Sequence, residues 1–229
     1  MSVEILILDY GTGNLSSVER SLKRIGATSI VSSSAEDIAG ADKIILPGVG
    51  HFGKAMESLR QLRLLDALNK AVLTDQKPVL GICLGMELMA RKSEEGNTTG
   101  LGWIDAEVVR FDISAKLDFK VPHIGWNQMR IKKDSALFRG LSEESEFYFL
   151  HSYHLGVNEQ SDVLAETEYE TAFPSAIERE NISVCNSIPK KVRTPEPNCS
   201  GILLRCNVST EDHTRFAIEG SGSGEVGPL

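Results

Sequence analysis

The chain has 229 residues, with 24 lysines and arginines against 32 aspartates and glutamates, so its formal net charge is −8. This length suffices for one sizeable α/β core or for one domain with a tail, whereas two full domains would be cramped. No run of basic residues is long enough to follow a phosphate backbone, which argues against a nucleic-acid-binding protein.

The N-terminus and the cysteines indicate the cellular compartment. The first eleven residues, MSVEILILDYG, carry an acidic residue where a signal peptide needs basic ones, and their apolar run is too short to span a bilayer. Only Cys83 precedes Ile182, so that part of the chain cannot form an internal disulfide. We therefore expect a soluble cytoplasmic protein that does not bind membranes.

The first half of the chain alternates short aliphatic runs with amphipathic helical stretches. The run from Val3 to Leu8 predicts a strand, and a glycine-rich turn separates it from a helix with apolar residues at Leu15, Val18, Leu22 and Ile25. Further strands are predicted at 28–31, 43–46 and 78–82, and helices at 35–39, 52–73 and 84–90. This alternation predicts a mostly parallel sheet with helices on both faces.

The second half of the chain is richer in strands. They are predicted at 102–111, 120–123, 127–131 and 146–150, with further strand between 163 and 177. We expect them to form an antiparallel stretch added to the main sheet. The predicted fold class is therefore α/β, a mostly parallel sheet flanked by helices with an added antiparallel stretch, in a single domain over 1–182.

Cys83 lies where a predicted strand runs directly into a predicted helix, within PVLGICLGMELM at 78–89. Gly81 and Gly85 lie two residues to either side, and small residues at these positions permit a sharp turn that projects the side chain between them. The positive end of the following helix would favour the thiolate. The alternative is a cysteine buried in the core, which is common for this residue type.

Five segments together carry a resemblance: DYGTGN, LPGVGHF, GICLGMEL, VPHIGWN and FYFLHSYH. In this order they resemble the class I glutamine amidotransferases, whose domain is flavodoxin-like, and more narrowly the glutaminase subunits of imidazole glycerol phosphate synthases. Each segment alone has an ordinary explanation, since Pro-Gly-Val-Gly is often only a turn and a histidine in an aromatic strand is often only packed. Their joint order favours the family.

The resemblance implies roles for individual residues and no cofactor or metal. Cys83 would attack the carboxamide of glutamine, and the released ammonia would pass to a cyclase subunit in a heterodimer. Backbone N–H groups of Leu84 and of the turn containing Val49 and Gly50 would hold the oxyanion. The glutamine pocket would be lined by Glu87, His151, Ser152 and Tyr153. The surface toward the cyclase would include Tyr10, Gly11, Asn14, Trp126 and Asn127.

Glu87 departs from the family, which usually has glutamine at this position. A carboxylate only accepts hydrogen bonds, whereas an amide both donates and accepts. An ionised Glu87 would repel the carboxylate of the substrate and could attract its ammonium group. The departure therefore bears on glutamine affinity and not on the fold.

A second departure concerns the catalytic base. The family takes a histidine and a glutamate from a strand near the C-terminus, and this chain has Ile188 and Lys190 at the corresponding positions. If one nucleotide were lost near Ile182, permitted codons in the shifted frame would read FGVQFHPEK, with histidine at position 188. We therefore interpret 183–229 as an aberrant, disordered tail, so that the domain lacks its last strand and helix.

Three functions remain open at this point. The chain could be the glutaminase of a histidine-biosynthesis synthase, inactive as written because the base is missing. It could instead be a paralogue that supplies ammonia to a sugar-modifying amidotransferase. The third possibility is a non-catalytic protein that retains only the surface for binding a synthase.

Overall fold

A computed structural model describes residues 4–113, 119–138, 145–186 and 192–193. The strands are β1 (Glu4–Leu8), β2 (Thr28–Ser32), β3 (Lys43–Gly48), β4 (Val79–Cys83), β5 (Lys92–Ser93), β6 (Thr98–Thr99), β7 (Ala106–Arg110), β8 (His123–Gln128), β9 (Arg130–Ile131), β10 (Glu146–His151), β11 (Tyr153–Val157), β12 (Val163–Tyr169), β13 (Thr171–Arg179), β14 (Ile182–Cys185) and β15 (Val192–Arg193). The α-helices are α1 (Leu15–Arg24), α2 (Ala35–Gly40), α3 (Phe52–Gln61), α4 (Leu65–Asn69) and α5 (Leu84–Leu88).

The main sheet has eight strands in the order β2-β1-β3-β4-β14-β13-β12-β9. The five strands from β2 to β14 pair in parallel, whereas β13, β12 and β9 continue the sheet in antiparallel pairs. Two smaller sheets, β15-β10-β8 and β11-β7-β5-β6, accompany it. The predicted α/β class, a mostly parallel sheet with an added antiparallel stretch, is confirmed.

Alternating side chains of β1 show that the main sheet is buried on both faces. Leu6 and Leu8 pack in one core cluster together with residues of α3 such as Phe52, and Ile5 and Ile7 pack in the other together with residues of α1. A strand covered on both faces reads as a continuous aliphatic run. This is why ILIL in β1 and KIIL in β3 are such clear strand signals.

The helix predicted over 52–73 is divided in the structure. α3 ends at Gln61, and Arg63 adopts a positive φ of 56° before α4 begins at Leu65. A π-helical turn, Lys70–Thr74, follows α4. The apolar periodicity persisted through the break because Leu59, Leu64 and Leu68 all point into the core, so the pattern alone did not reveal the change in direction.

The main sheet continues past Ile182, the residue at which the sequence predicts the domain to end. β14 extends to Cys185 and lies inside the main sheet, parallel to β4 on one side and antiparallel to β13 on the other. Val184 is fully buried, and Asn186 is 1% exposed. The residues just after Ile182 are therefore compatible with a buried strand, and the absence of the last strand and helix of the domain stays a prediction. The predicted tail at 187–191 and 194–229 lies outside the described residues.

Within the described ranges, no helix is both long enough and apolar enough to cross a membrane.

Candidate active site

Cys83 lies at the junction of β4 and α5 in a strained backbone conformation. Its φ is 54° and its ψ is −116°, a region that residues with a side chain rarely adopt. Such strain persists only where the surrounding structure enforces it, and it is concentrated at functional sites. The side chain is half-buried at the carboxyl end of the main sheet, where open α/β sheets bind ligands.

Packing explains the glycine at position 85, two residues after Cys83. A Cβ on Gly85 would overlap the backbone carbonyl oxygen of Leu46, so α5 approaches β3 more closely than any side chain allows. A Cβ on Gly81 would come within 2.9 Å of the Met86 Cα. The sharp turn predicted from the two glycines is confirmed, and the close approach holds the cysteine at the end of the sheet.

The backbone groups predicted to form the oxyanion hole lie next to Cys83. Gly48 is paired with Cys83 between β3 and β4, so Val49 and Gly50 continue the chain just beyond the thiol. Val49 is 51% exposed, and Gly50 has a φ of 120° that favours glycine. On the other side, the Leu84 N–H is directed at the Cys83 sulfur. The structure thus brings together Cys83, the predicted nucleophile, and both predicted donor segments.

The Cys83 thiol is not activated in this conformation. Burial raises its pKa from 9.0 to about 12, and the negative charge of Glu87 adds to the increase, while the hydrogen bond from the Leu84 N–H acts in the opposite direction. The expectation that the helix terminus would favour a thiolate is therefore wrong for the resting protein. Desolvation and the neighbouring carboxyl raise the pKa of the thiol by more than one N–H group, at the start of a helix of five residues, lowers it.

Glu87 is buried within the site, with 6% of its surface exposed. Burial raises the pKa of its carboxyl from 4.5 to about 8, and repulsion from Glu95 contributes to the increase. At neutral pH the side chain is therefore mostly a protonated acid. A protonated carboxyl donates and accepts hydrogen bonds, so Glu87 can offer the same kinds of group as the glutamine that the family carries there.

His151 belongs to a buried hydrogen-bonded cluster with His123. The Nε2 atom of His151 lies 3.1 Å from Nδ1 of His123, and its Nδ1 lies 2.7 Å from the carbonyl oxygen of Tyr153. The His151 Nδ1 must therefore carry the hydrogen, and His123 donates to Nε2. Burial lowers the pKa of His123 to about 4 and that of His151 to about 3, so both rings are neutral.

Asn186 completes this cluster. Its Nδ2 lies 2.9 Å from the same Nδ1 of His151, while its buried Oδ1 has no hydrogen-bond partner. Two donors cannot face each other, and rotating the amide by 180° lets Oδ1 accept from the His151 N–H. Sequence reasoning missed both His123 and Asn186. The only available signal was the position of His123 within VPHIGWN.

The predicted pocket residues therefore divide into two groups. Both ring nitrogens of His151 are used inside the protein and the residue is 7% exposed, so its predicted role in binding substrate is corrected to a buried structural one. Ser152 and Tyr153, which follow it, are half-buried. With Glu87 they remain the side chains available for a ligand.

Tyr10 also requires a correction. Its side chain is fully buried, and its hydroxyl donates a hydrogen bond to the Pro47 carbonyl oxygen at 2.5 Å. The tyrosine therefore stabilises the turn between β3 and α3 from the interior of the protein, and its side chain is not available for contact with a partner. Gly11 and Asn14, from the same predicted surface, are exposed.

Trp126 lies on a partly exposed apolar strip across β8 and β10, in which it and Tyr148 are half-buried. It is paired with Tyr148 in the register, and the two rings meet edge to face with centroids 5.6 Å apart. Ile124 and Leu150 form the next pair on this face and are 57% and 50% exposed. The opposite face carries buried Phe147 and Phe149, so only one side of this small sheet belongs to the core.

Asn127, the remaining residue predicted to face a partner, is half-buried, and its Nδ2 donates to the Glu168 carbonyl oxygen.

The positions predicted for the base, Ile188 and Lys190, lie outside the described residues. The register of β14 is described as far as Cys185. Cys185 pairs with Ile82, so Asn186 comes level with Cys83. Among the residues that the structure describes, no group of three or more histidine, cysteine, aspartate or glutamate side chains could hold a metal ion.

The sequence is similar to known proteins over most of its length. The family model described as Glutamine amidotransferase class-I matches residues 6–185. The chain is 43% identical to "Imidazole glycerol phosphate synthase subunit HisH 2" of Pseudomonas aeruginosa and 44% identical to the protein of the same name of Methanococcus maripaludis. Each of these matches covers 82% of this chain and 92% of the relative.

Solved structures share the fold at low sequence identity. The glutaminase domain of Trypanosoma brucei CTPS with bound acivicin has a TM-score of 0.59 at 17% identity, covering 85% of this chain and 88% of that one. A glutamine amidotransferase of Thermotoga maritima has a TM-score of 0.59 at 15% identity, covering 82% of this chain and 76% of that one. With the family match over 6–185 and the strained cysteine at the end of β4, these similarities lead to one conclusion: the chain belongs to the class-I glutamine amidotransferase family.

Proposed function

We propose that this chain is the glutaminase subunit of an imidazole glycerol phosphate synthase, which hydrolyses glutamine and passes ammonia to a cyclase subunit for histidine biosynthesis. The proposal is supported by relatives that carry this subunit name at 43% and 44% identity and that the chain covers almost completely. The observation that carries the chemistry is the strained conformation of Cys83 beside the turn after Gly48.

The geometry fits acyl transfer through a covalent intermediate. The Cys83 sulfur attacks the carboxamide carbon of glutamine, and the resulting oxyanion receives hydrogen bonds from the Leu84 N–H and the turn containing Val49 and Gly50. Collapse of this intermediate breaks the carbon–nitrogen bond and releases ammonia. Water then cleaves the thioester, giving glutamate and restoring the thiol.

The strip formed by exposed Ile124 and Leu150 and half-buried Trp126 and Tyr148 supports docking of the cyclase subunit. Clustered exposed apolar and aromatic side chains are typical of protein interfaces. Gly11 and Asn14 supply further exposed positions where the family binds its synthase. We assign this strip, together with Asn127, to the cyclase-facing surface, with Tyr10 supporting it from the interior.

A second function is favoured by Ile188 and Lys190, since neither can act as a histidine or glutamate does. The chain would then bind a cyclase without hydrolysing glutamine. We retain the hypothesis that a lost nucleotide near Ile182 replaced a His-Pro-Glu segment, and sequencing the DNA across that codon tests it directly.

A glutamine-turnover assay distinguishes these two functions. Glutamate release should be measured with and without a cyclase subunit, for this chain, for Cys83→Ala and for a chain with the reading frame restored. Turnover that requires the cyclase and disappears in Cys83→Ala supports a glutaminase subunit. Binding of the cyclase without turnover supports the second function. A restored chain that neither binds a cyclase nor releases glutamate contradicts both.

A further inference from the structure

We propose that Cys83 and Cys185 form a redox-active thiol pair, which a low-molecular-weight disulfide such as oxidised glutathione converts into a disulfide bond between β4 and β14. This modification site goes beyond the proposed glutaminase function. Formation of the bond can be observed whether or not the chain hydrolyses glutamine.

The register of the main sheet places the two cysteines next to each other. Cys185 pairs with Ile82 in the parallel ladder between β14 and β4, and Cys83 is the next residue of β4. With strands about 4.8 Å apart and a rise of about 3.3 Å per residue, Cα atoms in this diagonal relationship are about 6 Å apart. A disulfide joins Cα atoms that are about 4.4–6.8 Å apart, so the backbone needs no large movement to form the bond.

Both side chains lie on the same face of the sheet. Cys83 and Cys185 are half-buried, and both pack against the core cluster that contains Ile82. Successive residues of a regular strand point to opposite faces, so a regular β4 would direct Cys83 away from this cluster. The positive φ of Cys83 breaks the alternation, and its thiol lies on the side of the sheet that Cys185 occupies.

The electrostatics of Cys83 is consistent with a neighbouring sulfur. Burial is the largest cause of the raised pKa of the Cys83 thiol, the charge of Glu87 adds to it, and Cys185 raises it further. A stabilised thiolate favours the reduced form of a thiol pair, and Cys83 lacks this stabilisation. The raised pKa also slows the reaction at neutral pH, because the thiolate is the attacking species.

The exchange with oxidised glutathione balances in two steps. One protein sulfur attacks the glutathione disulfide, bonds to one half and releases the other half as a thiol. The second protein sulfur then attacks the first protein sulfur, and the remaining half leaves as another thiol. Two protons and two electrons pass from the protein thiols to glutathione, so the products are one protein disulfide and two reduced glutathiones.

The bond has a defined consequence for the proposed glutaminase. A Cys83 sulfur held in a disulfide cannot attack the carboxamide carbon of glutamine. Oxidation should therefore stop turnover, and a thiol reductant should restore it.

Peptide mapping of the full chain tests the pair. The reduced chain is incubated with oxidised glutathione at mildly alkaline pH, the remaining thiols are blocked with N-ethylmaleimide, and a tryptic digest is analysed by mass spectrometry without reduction. The tryptic peptide 71–91 contains Cys83, and the peptide 180–190 contains Cys185. We expect these two peptides to be linked in the main oxidised product and to separate after treatment with dithiothreitol.

The same reaction in concentrated urea provides a comparison, because the unfolded chain closes short loops more readily than long ones. There we expect pairs that include Cys199 or Cys206, which are close to Cys185 in the sequence. A preference for the link between Cys83 and Cys185 that appears only without urea supports the proposal. Links that are no more selective without urea than with it overturn the proposal.

Serine substitutions provide the matched controls. The double variant Cys199→Ser/Cys206→Ser should form the same link undiminished, whereas Cys185→Ser should not protect Cys83 from N-ethylmaleimide. With the cyclase present, glutamate release by the oxidised chain should fall in proportion to the linked fraction, and release by Cys185→Ser should be unaffected by the formation of this bond.

Two outcomes separate the modification site from the glutaminase function. If Cys83 carries glutathione or N-ethylmaleimide in the double serine variant while Cys185 remains unlinked, the proposal is wrong and the glutaminase function is untouched. If the linked peptides form but the reduced chain does not release glutamate, the thiol pair is supported and the glutaminase function is contradicted.

Discussion

Gly48 and Cys83 are paired residues at the carboxyl ends of β3 and β4, so the predicted oxyanion turn and the predicted nucleophile are neighbours in adjacent strands. A Cβ on Gly48 would lie 2.5 Å from the Tyr10 hydroxyl and 2.9 Å from the Leu84 Cβ. The turn after Gly48, the predicted nucleophile Cys83 and the buried Tyr10 therefore pack so closely that a methyl group added at Gly48 has no space.

Substitution of Gly48 should affect both stability and turnover. Gly48→Ala forces Tyr10 or Leu84 to move, which typically costs about 1–3 kcal/mol of unfolding free energy, and it displaces the donors of the oxyanion turn. Urea denaturation and kcat measure the two effects. Gly40→Ala is the control, because a Cβ there meets nothing within 4 Å. Equal stability of the two variants would contradict the packing argument.

Asn181 connects β14 to the segment that precedes β4. Its Nδ2 donates to the carbonyl oxygens of Val72 and Lys77 at 3.0 and 2.8 Å, and the residue is 7% exposed. Asn181→Ala leaves both carbonyls without this donor, so we expect a loss of about 1–3 kcal/mol in unfolding free energy. The exposed Asn158→Ala should change it by less than about 0.5 kcal/mol. A loss in Asn181→Ala as small as in the control would show that water replaces the amide.

The stability of the chain should be greatest near pH 6.5. The folded pKa values of His123 and His151 lie below the ordinary histidine value of 6.5, so the unfolded chain binds more protons at lower pH and stability falls as the pH decreases below 6.5. The folded pKa of Glu87 is raised from 4.5 to about 8, so its contribution is lost as the pH rises through this range. Below pH 6.5, the stability gained from the two histidines as the pH rises exceeds the stability lost from Glu87. Above pH 6.5, the loss from Glu87 is the larger effect.

Unfolding free energies measured by urea at intervals from about pH 5 to pH 8.5 test this balance. Each group changes stability by at most about 1.4 kcal/mol per pH unit within its range. Glu87→Gln should abolish the decline on the alkaline side, while His123→Phe, which keeps the stacking on Phe149 and Tyr169, should weaken the acidic decline. An alkaline decline that persists in Glu87→Gln would assign it to other groups.

The extent of the domain can be tested by truncation. A chain that ends at Asn186 keeps β14 between β4 and β13, so we expect it to unfold cooperatively. A chain that ends at Asn181 loses this central strand and with it the burial of Ile182 and Val184, so it should lack a cooperative transition. Circular dichroism during thermal unfolding distinguishes the two. A cooperative transition in the shorter chain would return the boundary to Ile182.

The exposed strip on β8 and β10 should determine affinity for the cyclase subunit. Ile124→Ser removes apolar contact at the exposed end of the strip, and we expect the Kd for the cyclase to rise by about 10- to 100-fold. Leu73→Ser is the control, because Leu73 is similarly exposed at 50% but lies in the π-helical turn. Calorimetric titration provides both Kd values. An equal effect of the two substitutions would show that the strip is not part of the interface.

The helices and strands were predictable from local patterns to different degrees. Buried parallel strands such as β1 and β3 are continuous aliphatic runs, and their positions followed directly. The break after Gln61 was not predictable, because the core-facing periodicity continues across it. β14 was not predictable either, since a four-residue strand without a regular pattern is recognised only by the two neighbouring strands that enclose it.

The sequence by itself determined the α/β class and the position of Cys83 at a junction of strand and helix, because alternating strands and helices and glycines around a cysteine are local signals. Tertiary structure decided the chemical state of each group. It buried Glu87 and His151 and partly removed Cys83 from solvent, so that a thiol expected to ionise remains protonated, a carboxylate becomes an acid, and a predicted ligand becomes part of the core. Desolvation and neighbouring charges depend on residues distant in the chain, and no local pattern encodes them.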